Sequence, residues 1–308
     1  MDLSWITHTW WGALLFVVVC GHLTVMCTSV YMHRAMAHQG VKLHPIVGWA
    51  MRWWLWLFTG MSTREWVAVH RKHHAFCETE EDPHSPVIHG WAQILFFGVK
   101  YYRNSYRDPA TMERFTKGCP NDWVERNIFI PHKVAGLVIL LALDVLIFAS
   151  TSFSLMSLLT AGLVWGGQVL WVPFWAAGVV NGLGHTIGYR NYKVKDESRN
   201  IIPLGLLLSG EELHNNHHKF PSSAKFSKRW FEIDMGWGYI NALRLVGLAK
   251  VKVVQSGIPN FKQYAQSAKE AALVHAHTAA DAAKEMASAA KDAVAAASSP
   301  AFSTNAVQ

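Results

Sequence analysis

Residues 64–86 read REWVAVHRKHHAFCETEEDPHSP, and residues 214–218 read HNNHH. His70, His73 and His74 form one i, i+3, i+4 set, and His214, His217 and His218 form another. On a helix each set points three imidazoles to one face. Core packing has no use for such a face. Protonated rings repel one another, and buried neutral rings each need a polar partner. A bound metal answers both difficulties, and two such triplets in one chain make the signal specific.

Two further pairs extend the pattern. His33 and His38 lie in HRAMAH, at the end of a long apolar run. Ideal α-helical geometry separates positions five apart by about 140°, so they serve two metals or the helix ends between them. Asn181 and His185 lie in NGLGH, four apart and on one helical face. The candidate ligands are therefore His33, His38, His70, His73, His74, His185, His214, His217 and His218. Nine imidazoles are too many for one metal and suit two.

Working outward from the boxes, the chain is predicted to be an all-α integral membrane protein. Three apolar stretches approach the length of about 20 residues that a bilayer requires: about 10–32, 134–149 and 155–180. The last two form a hairpin, and Asp144 inside one of them is expected to face protein rather than lipid. The segments 62–133 and 189–252 are rich in Lys and Arg, whereas the 150–154 turn carries no charge. The positive-inside bias then places both basic segments, and with them the boxes, in the cytoplasm. The apolar stretch 46–61 joins the first box to the second. It therefore cannot be a single crossing and reads as a buried or interfacial helix. The expected architecture is three transmembrane helices with a cytoplasmic helical cap holding a dimetal site.

Composition agrees. Of 308 residues, 51% are hydrophobic and only 16% charged, with 15 Trp, a profile of interfacial aromatic belts rather than of disorder. The net charge of +7 comes from Lys and Arg in polar loops, which gives nucleic-acid binding little support. Four Cys without a CxxC pair exclude a disulfide scaffold and a zinc ribbon. The N-terminus has no basic region of a cleavable signal peptide. Residues 1–262 form the expected membrane domain. Residues 263–308 form an Ala-rich helical or disordered tail, with AAKE at Ala282 and AAKD at Ala289, where His275 and His277 are plain solvent-exposed residues.

HRAMAH, HRKHH, NGLGH and HNNHH, with the stretch Arg64–Pro86, resemble the membrane fatty acyl desaturase family, in particular its stearoyl-CoA (Δ9) branch. The resemblance covers roughly Trp10 to Gly238; the tail departs from it, and the family's extra span before the first box is missing. It implies that the nine His hold two iron ions, that Asn181 binds through water, and that O2 is the oxidant. It implies a cis double bond made in a saturated acyl chain, at Δ9 on acyl-CoA or on an acyl-lipid, in a bacterial inner membrane with the site facing the cytoplasm. The sequence carries no haem motif, CxxCH, GxGxxG or ferredoxin-like Cys run, so electrons come from a separate ferredoxin-, rubredoxin- or cytochrome-type protein. Imidazole alone accepts Zn, Cu, Fe or Ni, so iron rests on the resemblance. An alkyl or sterol hydroxylase and a membrane metal-binding or transport protein are the competing readings.

Glu65, Glu78, Asp82, Glu211 and Glu212 lie near the boxes and are candidates to orient ligand imidazoles. His44, His84, His89 and His132 are read as structural. Arg71, Lys72, Lys219, Lys225, Lys228 and Arg229 flank the boxes and could bind substrate phosphates or simply express the charge bias.

Overall fold

A computed structural model describes residues 4–150 and 152–255. The Ala-rich tail and its boundary at 262 lie outside these described residues.

A short helix α1 (Ser4–His8) leads into α2 (Trp10–Ala37), where the Thr9 side chain caps the helix by accepting from the Gly12 N–H. From Trp10 to Cys27 the helix is α; from Thr28 to Ala37 it widens to a π-helix. Helix α3 (Pro45–Thr59) opens with Pro at its first position and stops at Gly60, whose φ of 64° an L side chain rarely adopts. Its 15 residues span about 22 Å, short of a hydrocarbon core of about 30 Å. Helix α4 (Thr63–Phe76) is capped by Ser62 and carries the HRKHH box. Then come α5 (Pro86–His89), α6 (Trp91–Arg107), α7 (Pro109–Phe115) and a π turn (Glu125–Phe129). Helices α8 (Lys133–Ala149) and α9 (Leu155–Leu183) pack on each other, α2 lies against α9, and α3 lies against α8. The short α10 (His214–Lys219) holds the HNNHH box, and α11 (Met235–Leu245) follows.

Among the described residues, two helices, α2 and α9, are long and apolar enough to cross a membrane. The α8 helix has 17 residues. Its exposed side chains include Val134, Val138, Ile139, Leu143 and Leu146, and those of α2 and α9 include Leu14, Leu15, Leu159, Leu163 and Leu170. Apolar exposure on this scale marks a surface that water does not cover. Asp144 is buried, as an acid within such a segment should be.

The molecule is mostly helical, with a small departure. Strand β1 (Val41–Leu43) pairs antiparallel with the distant segment Ala249–Val251, and Leu204–Gly205 pairs parallel with Ile233–Asp234. Ladders of two or three residues are too short to show a period of two in the sequence. They tie the loops beyond the helices to the end of α2.

Helix α6 runs antiparallel along the π-helical end of α9, from residue 173 to 183. Small residues permit the contact: a Cβ at Gly178 would lie 2.6 Å from the Leu95 carbonyl, and one at Gly182 3.2 Å from that of Trp91. Between α2, α4, α6, α8 and α9 lies a largely apolar cavity of about 510 Å³.

Candidate metal centre

The end of α2 brings the first box into place. In the π-helical stretch the His38 N–H donates to the His33 carbonyl, an i→i+5 bond of 3.1 Å. That wider turn puts His33 and His38 on one face, with ring centroids 4.9 Å apart. The separation of 140° expected for an α-helix therefore does not arise, because the helix here is not α.

All nine imidazoles converge, in two groups. In the first, His33, His38, His70, His74 and His217 place ligand atoms within 4.8 Å of one another. Here Nε2 of His217 lies 3.0 Å from that of His33 and 2.9 Å from that of His74, and Nε2 of His38 lies 2.8 Å from that of His70. In the second group, Nε2 of His73 lies 3.4 Å from that of His218, and Nε2 of His185 lies 3.1 Å from that of His214. Asn181 stands half-buried in the wall of the apolar cavity, a wall it shares with His84 and His214.

Carboxylates fix four of the rings. Nδ1–H of His33 donates to Glu211 at 2.8 Å, that of His73 to Asp82 at 3.0 Å, that of His185 to Glu78 at 3.0 Å, and that of His218 to Asp196 at 3.1 Å. A neutral imidazole has one N–H, so each of these rings turns a lone pair toward the centre. His73 and His218 then face each other with two lone pairs and no proton between them. A cation removes that conflict. Ring nitrogens 2.8–3.4 Å apart are close enough to share a cation as ligands. The residues fit a pair of metal ions.

Cys77 also approaches the second group, its Sγ 3.9 Å from His73 Nε2. Burial first, and then Asp196, Asp82 and Glu78, push its thiol far up.

Of the five acids singled out in the sequence, Glu78, Asp82 and Glu211 meet ligand rings. Glu65 instead pairs with Lys133, and Glu212 accepts the backbone N–H groups of Leu208 and Gly210. Asp196 was not singled out, because nothing in its loop marks it as near His218. Arg71 binds the carbonyls of Met36, Ala37, Phe115 and Lys117 at 2.7–3.1 Å. It clamps the first box to the second and is engaged there rather than free for a phosphate. Lys228 is buried against the Lys225 and Gln255 carbonyls. His44 caps α3, His89 stacks on Tyr101, and His84 stacks on His73 at 4.5 Å with its Nε2 unpartnered among the described residues.

Burial first, and neighbouring imidazoles second, hold His38, His70, His74, His214, His217 and His218 well below the ordinary imidazole range. In the metal-free fold these rings stay neutral, while in the unfolded chain they take up protons near pH 6.5. The unfolded state then binds more protons, so stability falls as pH drops below about 6.5, by up to about 1.4 kcal/mol per ring per pH unit. Chain stripped of metal by a chelator should therefore lose thermal stability steeply between about pH 7 and 5.5. A melting temperature independent of pH over that window would show that the rings are not held neutral.

The fold and the site define a mostly helical protein with membrane-length helices, whose histidine-rich centre, able to hold metal ions, borders an apolar cavity. The family model named "Fatty acid desaturase" matches residues 8–242, and the chain belongs to that family, an oxidoreductase family acting on fatty acyl chains. It is 30% identical over 244 residues to the "Delta-9 desaturase-like 5 protein" of Arabidopsis thaliana, covering 78% of this chain and 76% of that one. It is 30% identical over 248 residues to "Delta-9 acyl-lipid desaturase 2" of the same plant, covering 78% and 74%. To "Acyl-CoA 5-desaturase AL21" of Anemone leveillei it is 31% identical over 254 residues, covering 79% and 72%.

Proposed function

We propose that this chain is an O2-dependent fatty acyl desaturase that introduces a cis double bond at Δ9 of a saturated acyl chain, with acyl-CoA as the substrate. The observation that carries the reading is that members of both imidazole groups line one apolar cavity: His33, His70 and His214. An alkyl chain in it lies beside the metal centre, away from bulk water.

The nine imidazoles would hold two iron ions, and Asn181 would reach one of them through water. Bound there, the irons supply the oxidising power that no side chain has. The net reaction takes two hydrogens from adjacent methylenes and consumes O2, two electrons and two protons, giving one double bond and two waters. The protein's own part is positional. Glu211, Asp82, Glu78 and Asp196 keep four Nε2 lone pairs aimed inward. The apolar wall, including Val25, Val69, Leu137 and Val172, excludes water and holds the alkyl chain. A separate one-electron carrier protein brings the electrons.

In the membrane we take α2, α8 and α9 as three spans, with α3 in the interface and the remaining helices as a cytoplasmic cap, in a bacterial inner membrane. The charge distribution of the sequence supports this orientation. The relatives' names differ in bond position and in headgroup, so Δ9 and CoA rest on this chain's resemblance to the stearoyl-CoA branch.

The test is the fatty acid profile, with double-bond positions, of a bacterial host expressing the chain. New monounsaturated acids at Δ9 are expected. Hydroxylated chains would move the assignment to a hydroxylase, and metal uptake with no lipid product would favour a metal-binding role.

A further inference from the structure

One part of the cavity wall is polar. Glu65, in the first turn of α4, accepts from Lys133 Nζ at 2.6 and 2.7 Å. Lys133 Nζ also sits 4.5 Å from the centre of the Tyr106 ring. Tyr102, one turn earlier on α6, belongs to the same wall, with the exposed Arg103 beside it. The Tyr102 hydroxyl is buried and has no hydrogen-bond partner among the described residues. A buried hydroxyl without a partner weakens the fold, so a site that keeps one invites a ligand acceptor. Burial first, then the Glu65 carboxylate, push this phenol far up, so it remains a donor.

Position along the cavity gives this stretch its meaning. On α4, Glu65 stands five residues before His70, about 7.5 Å along the axis, and both line the cavity together with Tyr102. The cavity thus has imidazoles at one level and a hydroxyl donor with a cation at another, joined by apolar wall.

We propose that Tyr102 binds the acyl carbonyl of the substrate, donating a hydrogen bond to the carbonyl oxygen of a thioester or ester. The Lys133–Glu65 pair and Arg103 then meet the polar group attached to that carbonyl. The proposal rests on the desaturase reading and deepens it. With the carbonyl held at a fixed distance from the metal centre, the protein counts carbons from the carboxyl end. Tyr102 is a positioning residue: it sets which methylenes react and takes no part in removing their hydrogens.

The experiment compares the metal-loaded full chain and its Tyr102→Phe variant in lipid nanodiscs. The probes are palmitoyl-CoA and dipalmitoylphosphatidylcholine, each labelled with carbon-13 at the acyl carbonyl. The wild type should lower the infrared carbonyl stretch of one probe, and which probe responds tells thioester from ester. In the variant the band should return to its free position and KM should rise about fivefold. Its double bonds should spread to neighbouring carbons, with metal content unchanged. An identical band in both proteins, or lower kcat with a single unchanged bond position, overturns the proposal, as does failure of both probes to bind. A wild type that shows the Tyr102-dependent band but forms no unsaturated product refutes the desaturase reading and leaves the carbonyl site standing.

Discussion

The His217→Ala variant should lose desaturation altogether. His217 Nε2 lies within 3.0 Å of two other ring nitrogens, those of His33 and His74, and the side chain is fully buried. Removing it takes away a donor and leaves the other two lone pairs without their shared neighbour. Altering the outer partners of metal ligands typically costs 10–100-fold in metal affinity or activity. Loss of a ligand itself is expected to exceed about 100-fold. Elemental analysis should show less than the wild-type metal content, in protein that still enters the membrane. A variant with full metal and wild-type levels of monounsaturated product would remove His217 from the centre.

Arg34→Met should cost a large share of the protein's stability, although Arg34 touches neither imidazole group directly. Its guanidinium donates to both Asp234 oxygens, at 2.8 and 3.1 Å, and to the carbonyls of Ser209 and Ala224 at 2.9 Å each. It also lies 3.7 Å over the Phe226 ring, and both partners of the ion pair are shielded from solvent. Breaking one side of a buried pair costs about 3–5 kcal/mol, because the other charge remains buried alone. The segments it pins flank the HNNHH box, so metal should be lost along with stability. Thermal unfolding in detergent measures the first effect, and Arg34→Met combined with Asp234→Asn should recover part of it. An unchanged melting temperature in the single variant would show that the pair contributes nothing.

How far the sequence could be read follows from these particulars. The two HxxHH sets were legible because their spacing is helical, and α4 and α10 are the helices they imply. The apolar stretches of α2 and α9 were legible from length alone, and both helices continue beyond the boundaries read from hydropathy, to Ala37 and Leu183. The division of nine rings into five and four was not legible, since it depends on how four separate segments meet. Nor was Asp196, 22 residues before His218 in a loop without periodicity. Arg71 looked like a cation for phosphates, but the two backbone carbonyls it takes from the end of α2 have no sequence signature. The buried asparagines of HNNHH were not singled out either. Asn215 binds the backbone of Asn191, Tyr192 and Ser198, and Asn216 binds Asn191, Asn200 and Glu232, so both anchor α10 rather than ligate.

Both membrane-length helices change from α to π as they reach the imidazoles, over Thr28–Ala37 and Pro173–Leu183. A π turn amounts to one surplus residue in an α-helix. Deleting a single residue from Thr28–Ala37 would rotate His38 by about 100° relative to the preceding turns. The composition would hardly change, the helix would still cross, and hydropathy would read the same. The pocket is therefore keyed to phase: in aligning distant sequences, a one-residue gap just before or within HRAMAH should be read as turning His38 away from the other rings, and never as harmless variation in length.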